Sequence, residues 1–170
     1  TAVATDVLTS ILANTMDVTN NAPLPGGLGA GAGPEPSYVV RDTLSPGNTV
    51  RFTLYLNNTS SQADLYNLTA STDPTFAALS LPAGWTVTFR DGANTPIAST
   101  VSVAAGGNAL VYADVDVPAG YPAGNVELYF RALSPNTGAS DRIHDQVGVN
   151  AQRRLTLVPN NSAQVIPGGF

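Results

Sequence analysis

The residues best able to do chemistry lie in one short run, DRIHDQ, 141–146. His144 is the only histidine of the chain, and Asp141 and Asp145 flank it. A histidine beside carboxylates can act as a general base whose tautomer an acid fixes, as in Ser–His–Asp hydrolases. That chemistry needs a nucleophile on a strained turn, and the sequence holds no G-x-S-x-G elbow. A zinc site needs about three or four ligands, usually His or Cys, against one His and no Cys here. His144 therefore reads as a structural or surface histidine, and no catalytic residue is assigned.

The acids offer a second chemistry. Asp114 and Asp116 stand two apart in ALVYADVDV, so both point to one solvent face of a strand. With Asp141 and Asp145 near a loop, they are the candidates for calcium, a hard cation that takes about six to eight oxygens. Asp73 and Asp91, at turns, could contribute as well. None of these acids matches a D-x-D-x-D-G loop. The other reading is a cross-strand ladder, in which Arg131, beside Glu127 and Tyr129 on the expected partner strand, offsets the two acids. Such pairs contribute about 0.2–1 kcal/mol each. Tyr55, Tyr112 and Tyr129 also face outward on these strands. They are candidate surface contacts, as a patch on one sheet for a sugar or a neighbouring subunit, or as rings that cover the sheet and leave their hydroxyls wet. GGLGAGAG, 26–33, is out of register for a dinucleotide turn, so no organic cofactor is indicated. The sequons at Asn57, Asn58, Asn67 and Asn160 matter only if the source glycosylates.

The elements that would carry these residues are short and alternating. SYVVRDTL (37–44), TVRFTLYL (49–56), LYNLTAST (65–72), WTVTFR (85–90), IASTVSV (97–103), ALVYADVDV (109–117), NVELYFRAL (125–133) and RIHDQVGVNA (142–151) are separated by Pro, Gly, Asn and Asp clusters. This spacing predicts an all-β, immunoglobulin-like sandwich of seven to eight strands. Val50, Phe52, Leu54 and Leu56 share one face, as do Val111, Ala113, Val115 and Val117, and Val126, Leu128, Phe130 and Ala132. The only tryptophan, Trp85, has the parity of Val87 and Phe89 and is expected in the core rather than on a ligand platform. Residues 1–22 suit one strand or a short helix. Residues 23–36 read as a Gly/Pro-rich linker, mobile or laid over the body as a strap. The expected organisation is thus an N-terminal arm and linker (1–36), the sandwich (37–151), and a C-terminal extension or start of a next module (152–170). In that last stretch IPGGF echoes SPGNTVRF at 45–52. The chain opens on Thr1, which suits a mature product or part of a longer chain.

Composition narrows the function. Apolar residues make up 43%, charged residues only 11%, and the net charge is −5, with seven Arg and no Lys. Nucleic-acid binding needs a basic stripe, and docking on anionic lipid needs positive charge; neither is present. No apolar run reaches the roughly 20 residues of a membrane span. Without cysteine the redox compartment cannot be read. Solubility must come from Ser, Thr, Asn and Gly, as is common on extracellular and cell-envelope proteins.

Four pieces in order, SPGNTVRFTLYLNNTS, LPAGWTVTF, VAAGGNALVYADVDVPAG and ELYFRALS, resemble a bacterial extracellular immunoglobulin-like surface repeat of the NEW3-like or DUF11-like conserved-repeat type. The resemblance covers 44–149, and residues 1–36 match nothing in it. The lysine-free, low-charge style also resembles Deinococcus–Thermus envelope proteins. The resemblance implies an adhesive, scaffolding or spacer role outside the cell and brings no catalytic residues, so a non-enzyme is expected. The expected role is a structural module of a cell-surface assembly (S-layer, stalk or fibre), in contact with other copies or neighbouring modules, with the arm able to donate a strand. The competing role is a carbohydrate-binding or adhesive module with glycan partners.

Overall fold

The structure, a computed structural model, describes residues 15–100 and 102–151. Among the described residues, eight strands form two four-stranded sheets and there is no helix: β1 (Met16–Asn20), β2 (Arg41–Leu44), β3 (Thr49–Asn58), β4 (Asn67–Ser71), β5 (Thr86–Asp91), β6 (Asn108–Asp116), β7 (Gly124–Leu133) and β8 (Ser140–Val149). One sheet runs β1-β3-β6-β5 and the other β2-β8-β7-β4. This is the order of an immunoglobulin sandwich whose first strand is split, its second part joining the other sheet. All neighbouring pairs are antiparallel except β2 with β8, which is parallel. Among the described residues no helix is long and apolar enough to cross a membrane.

Period-two alternation builds the core. Phe52, Leu54 and Leu56 of β3, Val111, Ala113 and Val115 of β6, and Leu128, Phe130 and Ala132 of β7 are at most 1% exposed. Phe130 lies between Phe52 and Phe89, with ring centroids 5.4 and 6.1 Å away. Trp85 plugs one end of this layer, 5% exposed and edge-on to Tyr121 at 5.2 Å. Gly47, at φ 84°, makes the turn from β2 to β3 and donates its N–H to the Val117 carbonyl.

Two expectations change. The supposed strand 97–103 is a crossing segment. Ile97 bonds to Phe89 of β5, while Leu68 bonds to Ala98 and Thr100 to Tyr66 on the β4 side. Its alternating residues therefore serve both sheets in turn and close that flank of the sandwich. The arm also belongs to the body from residue 15 onward: β1 pairs with β3 over five residues, and Met16 and Val18 are buried. The stretch between β1 and β2 is the strap, not a mobile linker. A Cβ on Gly27 would lie 2.4 Å from Thr19, and one on Gly33 would lie 1.6 Å from the Arg142 carbonyl. Glycine is what lets this segment press onto β1 and β8. Residues 1–14 and the echo in 152–170 lie outside the described residues.

Candidate functional site

The polar run of β8 forms a seam where β1, the strap and β8 meet. Register decides which side each residue takes. Asp141 and Asp145 stand opposite Ala132 and Leu128 of β7, so both aspartates project between the sheets, beside Ile143 and Val147. They survive there because backbone donors converge on them. Asp141 Oδ2 accepts the Val18 N–H at 2.8 Å and its Oδ1 accepts the Gly33 N–H at 2.9 Å. Asp145 Oδ1 accepts the Val40 N–H at 3.0 Å and the Asn20 Nδ2–H at 2.6 Å. Asn20 comes from the facing sheet, since it pairs with the inward Leu54. Glu35 of the strap repeats the device, its Oε2 accepting the His144 N–H at 3.0 Å. Three carboxylates thus occupy places that sheet carbonyls would otherwise fill, and they blunt the edges of β1 and β8.

Burial sets the acidity of the seam. It raises Asp141 above the usual carboxylate range, against the lowering pull of the Val18 and Gly33 amides. Burial pushes Asp145 up to about 7, with the Glu35 charge adding to the rise. Asp17, whose Oδ2 accepts the Gly31 N–H at 2.9 Å, is also raised, first by burial and then by Asp141 and Glu35.

His144 points to the other face of the sheet. It is 6% exposed and stacks on Tyr129, ring centroids 4.4 Å apart and planes 24° apart. Its Nδ1 lies 3.0 Å from the Glu35 carbonyl and its Nε2 2.6 Å from Glu127 Oε2. Glu127 Oε1 also accepts from Gln146 Nε2 at 2.5 Å. Both ring nitrogens are thus committed to protein partners, and the histidine lies on the opposite face from its sequence neighbours Asp141 and Asp145. The seam can hold backbone N–H groups and store protons. Asn20, Asp17 and Glu35 are members that sequence reasoning missed.

The four calcium candidates are not brought together. Asp114 lies on the outer face of the first sheet, held by Arg51 Nε at 2.5 Å and Arg90 Nε at 2.8 Å. The Arg51 hydrogen bond leads in keeping it below the usual carboxylate range. Asp116 accepts from the hydroxyls of Thr49 and Thr86. Asp141 and Asp145 are between the sheets, and among the described residues no group of three or more His, Cys, Asp or Glu is placed to hold a metal. The expected ladder with Arg131 fails because β7 belongs to the other sheet. Arg131 instead donates to Thr69 at 3.2 Å and covers the Phe76 ring at 4.5 Å. The tyrosine patch divides for the same reason: Tyr55 and Tyr112 stand on the first sheet and Tyr129 on the second. Asn57 and Asn58 are buried and bond to Asp17 and Val103 carbonyls, so those two sequons are closed. On the flank away from the seam, an apolar cleft of about 470 Å³ opens between β4 and β5, lined by Leu68, Leu81, Val87, Phe89 and Ile97.

Fold and site together define an immunoglobulin-like β-sandwich with a seam of buried carboxylates between its sheets. No family model matches the sequence, and no curated protein matches it. Among solved structures, the chain is similar to PapD-like domain 7 of human CEP192, at 12% identity over 91% of this chain and 100% of that one, TM-score 0.47. It is similar to the sialic acid binding region of a Streptococcus sanguinis SK1 adhesin, at 11% identity over 81% and 30%, TM-score 0.49. It is also similar to a family 123 glycoside hydrolase from Clostridium perfringens, at 10% identity over 66% and 23%, TM-score 0.48. The chain spans less than a third of the length of the last two. At these identities the likeness is one of fold.

Proposed function

We propose that this chain is a structural module of a bacterial cell-surface assembly, acting outside the cell through protein–protein contacts with other copies or neighbouring modules. The observation that carries this reading is the path of the chain. β1 begins where β3 ends, with the Thr59 N–H bonded to the Thr15 carbonyl at 3.0 Å. β8 ends where β3 begins, with the Asn150 N–H bonded to the Leu44 carbonyl at 2.8 Å. The described segment therefore begins at one pole and ends at the other, roughly 30 Å away at about 3.3 Å per residue. Two such ends on opposite poles suit modules joined in series. The low charge and the resemblance to surface repeats support the same reading.

Sedimentation and electron microscopy of the full chain and of a 15–151 fragment test it. Concentration-dependent end-to-end association of the full chain, lost in a fragment that melts at the same temperature, is the expected result. A full chain that stays monomeric up to millimolar concentration would overturn self-assembly.

A second reading, a carbohydrate-binding or adhesive module, rests on the outer face of the first sheet. There Tyr55 is one diagonal step from Tyr112 in register, and the Arg51 guanidinium lies 4.6 Å from the Tyr112 ring centre. A glycan array probed with the protein and with Tyr55→Ala and Tyr112→Ala decides it; a blank array removes it.

A further inference from the structure

Of the seam's three unpartnered side-chain oxygens, two belong to a pair already bonded to each other, Asn20 and Asp145. Asn20 and Asp145 face one another across the layer between the sheets, 1% and 0% exposed. The Asn20 amide donates to Asp145 Oδ1 at 2.6 Å. Asp145 Oδ1 also takes the Val40 N–H, so it is doubly served. The remaining oxygens of the same two planar groups, Asn20 Oδ1 and Asp145 Oδ2, are buried and have no partner. Two bare acceptors on a pair of groups already bonded to each other in a dry layer are costly. One hydrogen on Asp145 Oδ2 would turn that oxygen into a donor that the Asn20 carbonyl oxygen can accept, and so would satisfy both. The amide N–H and the acid O–H then close a two-bonded acid–amide ring.

We infer that Asn20 and Asp145 share such a proton-closed ring, that it locks the first strand to the last, and that alkaline pH opens it. Ionising Asp145 sets Oδ2 against Asn20 Oδ1 with nothing between them.

The surroundings favour the closed form. On the strap, Glu35 brings negative charge toward Asp145; on β1, Asp17 sits in the same acidic group. On β8 itself, Asp141 is a second inward acid; the Val40 N–H, the Asn20 amide and, from the opposite face, His144 favour the charged carboxylate, and burial outweighs them. From β7 the residue opposite is Leu128, apolar and fully buried. The direction agrees: burial pushes Asp145 up to about 7. A carboxyl whose folded affinity for the proton is raised gives stability that is complete below its unfolded value, about 4, and lost as pH rises through about 7. The module should therefore be firmer in mild acid, the reverse of common acid unfolding. The inference does not depend on the proposed surface role.

The test uses the full chain and Asp145→Asn. An asparagine at 145 can turn its NH2 to the Asn20 oxygen and keep the ring with no proton to lose. The wild-type unfolding midpoint should fall by roughly 5–10 °C between pH 5 and pH 8. The variant should lose most of that slope and melt above wild type at pH 8. Hydrogen exchange at 16–20, corrected for intrinsic rates, should rise at pH 8 in wild type only. Carbon-13 NMR of the wild-type Asp145 carboxyl gives a check that needs no variant: titration between about pH 6 and 8 is expected, and titration near 4 overturns the ring. A variant less stable than wild type at pH 8 overturns it too. So does a wild-type midpoint that millimolar calcium chloride raises at pH 8 but not in Asp145→Asn, since a cation would then fill the seam in place of the proton.

Discussion

Replacing Asp141 with alanine should weaken the module more than its charge alone suggests. Its carboxylate collects two backbone N–H groups from segments far away in sequence, Val18 of β1 and Gly33 of the strap. Alanine leaves both donors without an acceptor. An orphaned buried donor costs about 1–3 kcal/mol, so the pair sums to roughly 2–6. Against this, the variant removes a carboxylate that burial disfavours, as its raised proton affinity records. The expected net loss is about 2–4 kcal/mol, a large part of the ~5–15 kcal/mol typical of a folded domain. Asp141→Asn keeps one acceptor oxygen and should lose about half as much. Urea denaturation reads the loss as a lower midpoint at unchanged slope. Amide exchange should quicken at Val18 and Gly33, while Phe52 and Val111 deep in the core shift only with global stability. A midpoint for Asp141→Ala within about 0.5 kcal/mol of wild type would refute the reasoning, as would a Val18 amide that stays as protected as before.

Other predictions follow from the same structure. Trp85→Ala should cost about 3–5 kcal/mol, and native Trp85 emission should be blue-shifted and poorly quenched; a red-shifted native spectrum would contradict its burial. Gly33→Ala should cost about 1–3 kcal/mol, because its methyl would meet the Arg142 carbonyl and lift the strap, and exchange should rise across 31–40. Moving Asp145 from 3.8 to about 7 bounds its contribution at roughly 4 kcal/mol, present in mild acid and gone above neutral pH, measurable by denaturation at pH 5 and 8. Asp114→Asn should give only a small loss, which 0.5 M salt hides, because Arg51 is 40% exposed.

Much of the fold was legible in the alternation. β3, β6 and β7 announce themselves because every second residue is apolar over at least seven positions. Trp85 was placed correctly by its parity with Phe89. The segment 97–103 misled because alternation reports exposure on two sides, not which sheet provides the partner. The seam was half visible. Asp141 and Asp145 share parity with Ile143, Val147 and Val149, which already puts them on the inner face. Charge argued the other way, and only the donors overrule it. Those donors, Val18, Gly33 and Val40, lie 105 to 123 residues away in sequence. No local pattern reveals them, and Asn20 had no feature to single it out. The tyrosine patch and the ladder failed on topology: consecutive strands β6 and β7 belong to opposite sheets.

The placing of the start of β1 and the end of β8 at opposite poles has a mechanical consequence. β1 runs antiparallel to β3, while β8, which runs parallel to β2, leaves beside the start of β3. The first and last strands therefore point the same way on either side of the seam. Tension applied through the two ends drags them past each other lengthwise. The five paired residues of β1 and the carboxylate bonds across the seam then resist together, instead of parting one by one as in a zipper. Pulled this way, the sandwich should yield in one step rather than strand by strand, with a few buried oxygens at its side helping to set the force.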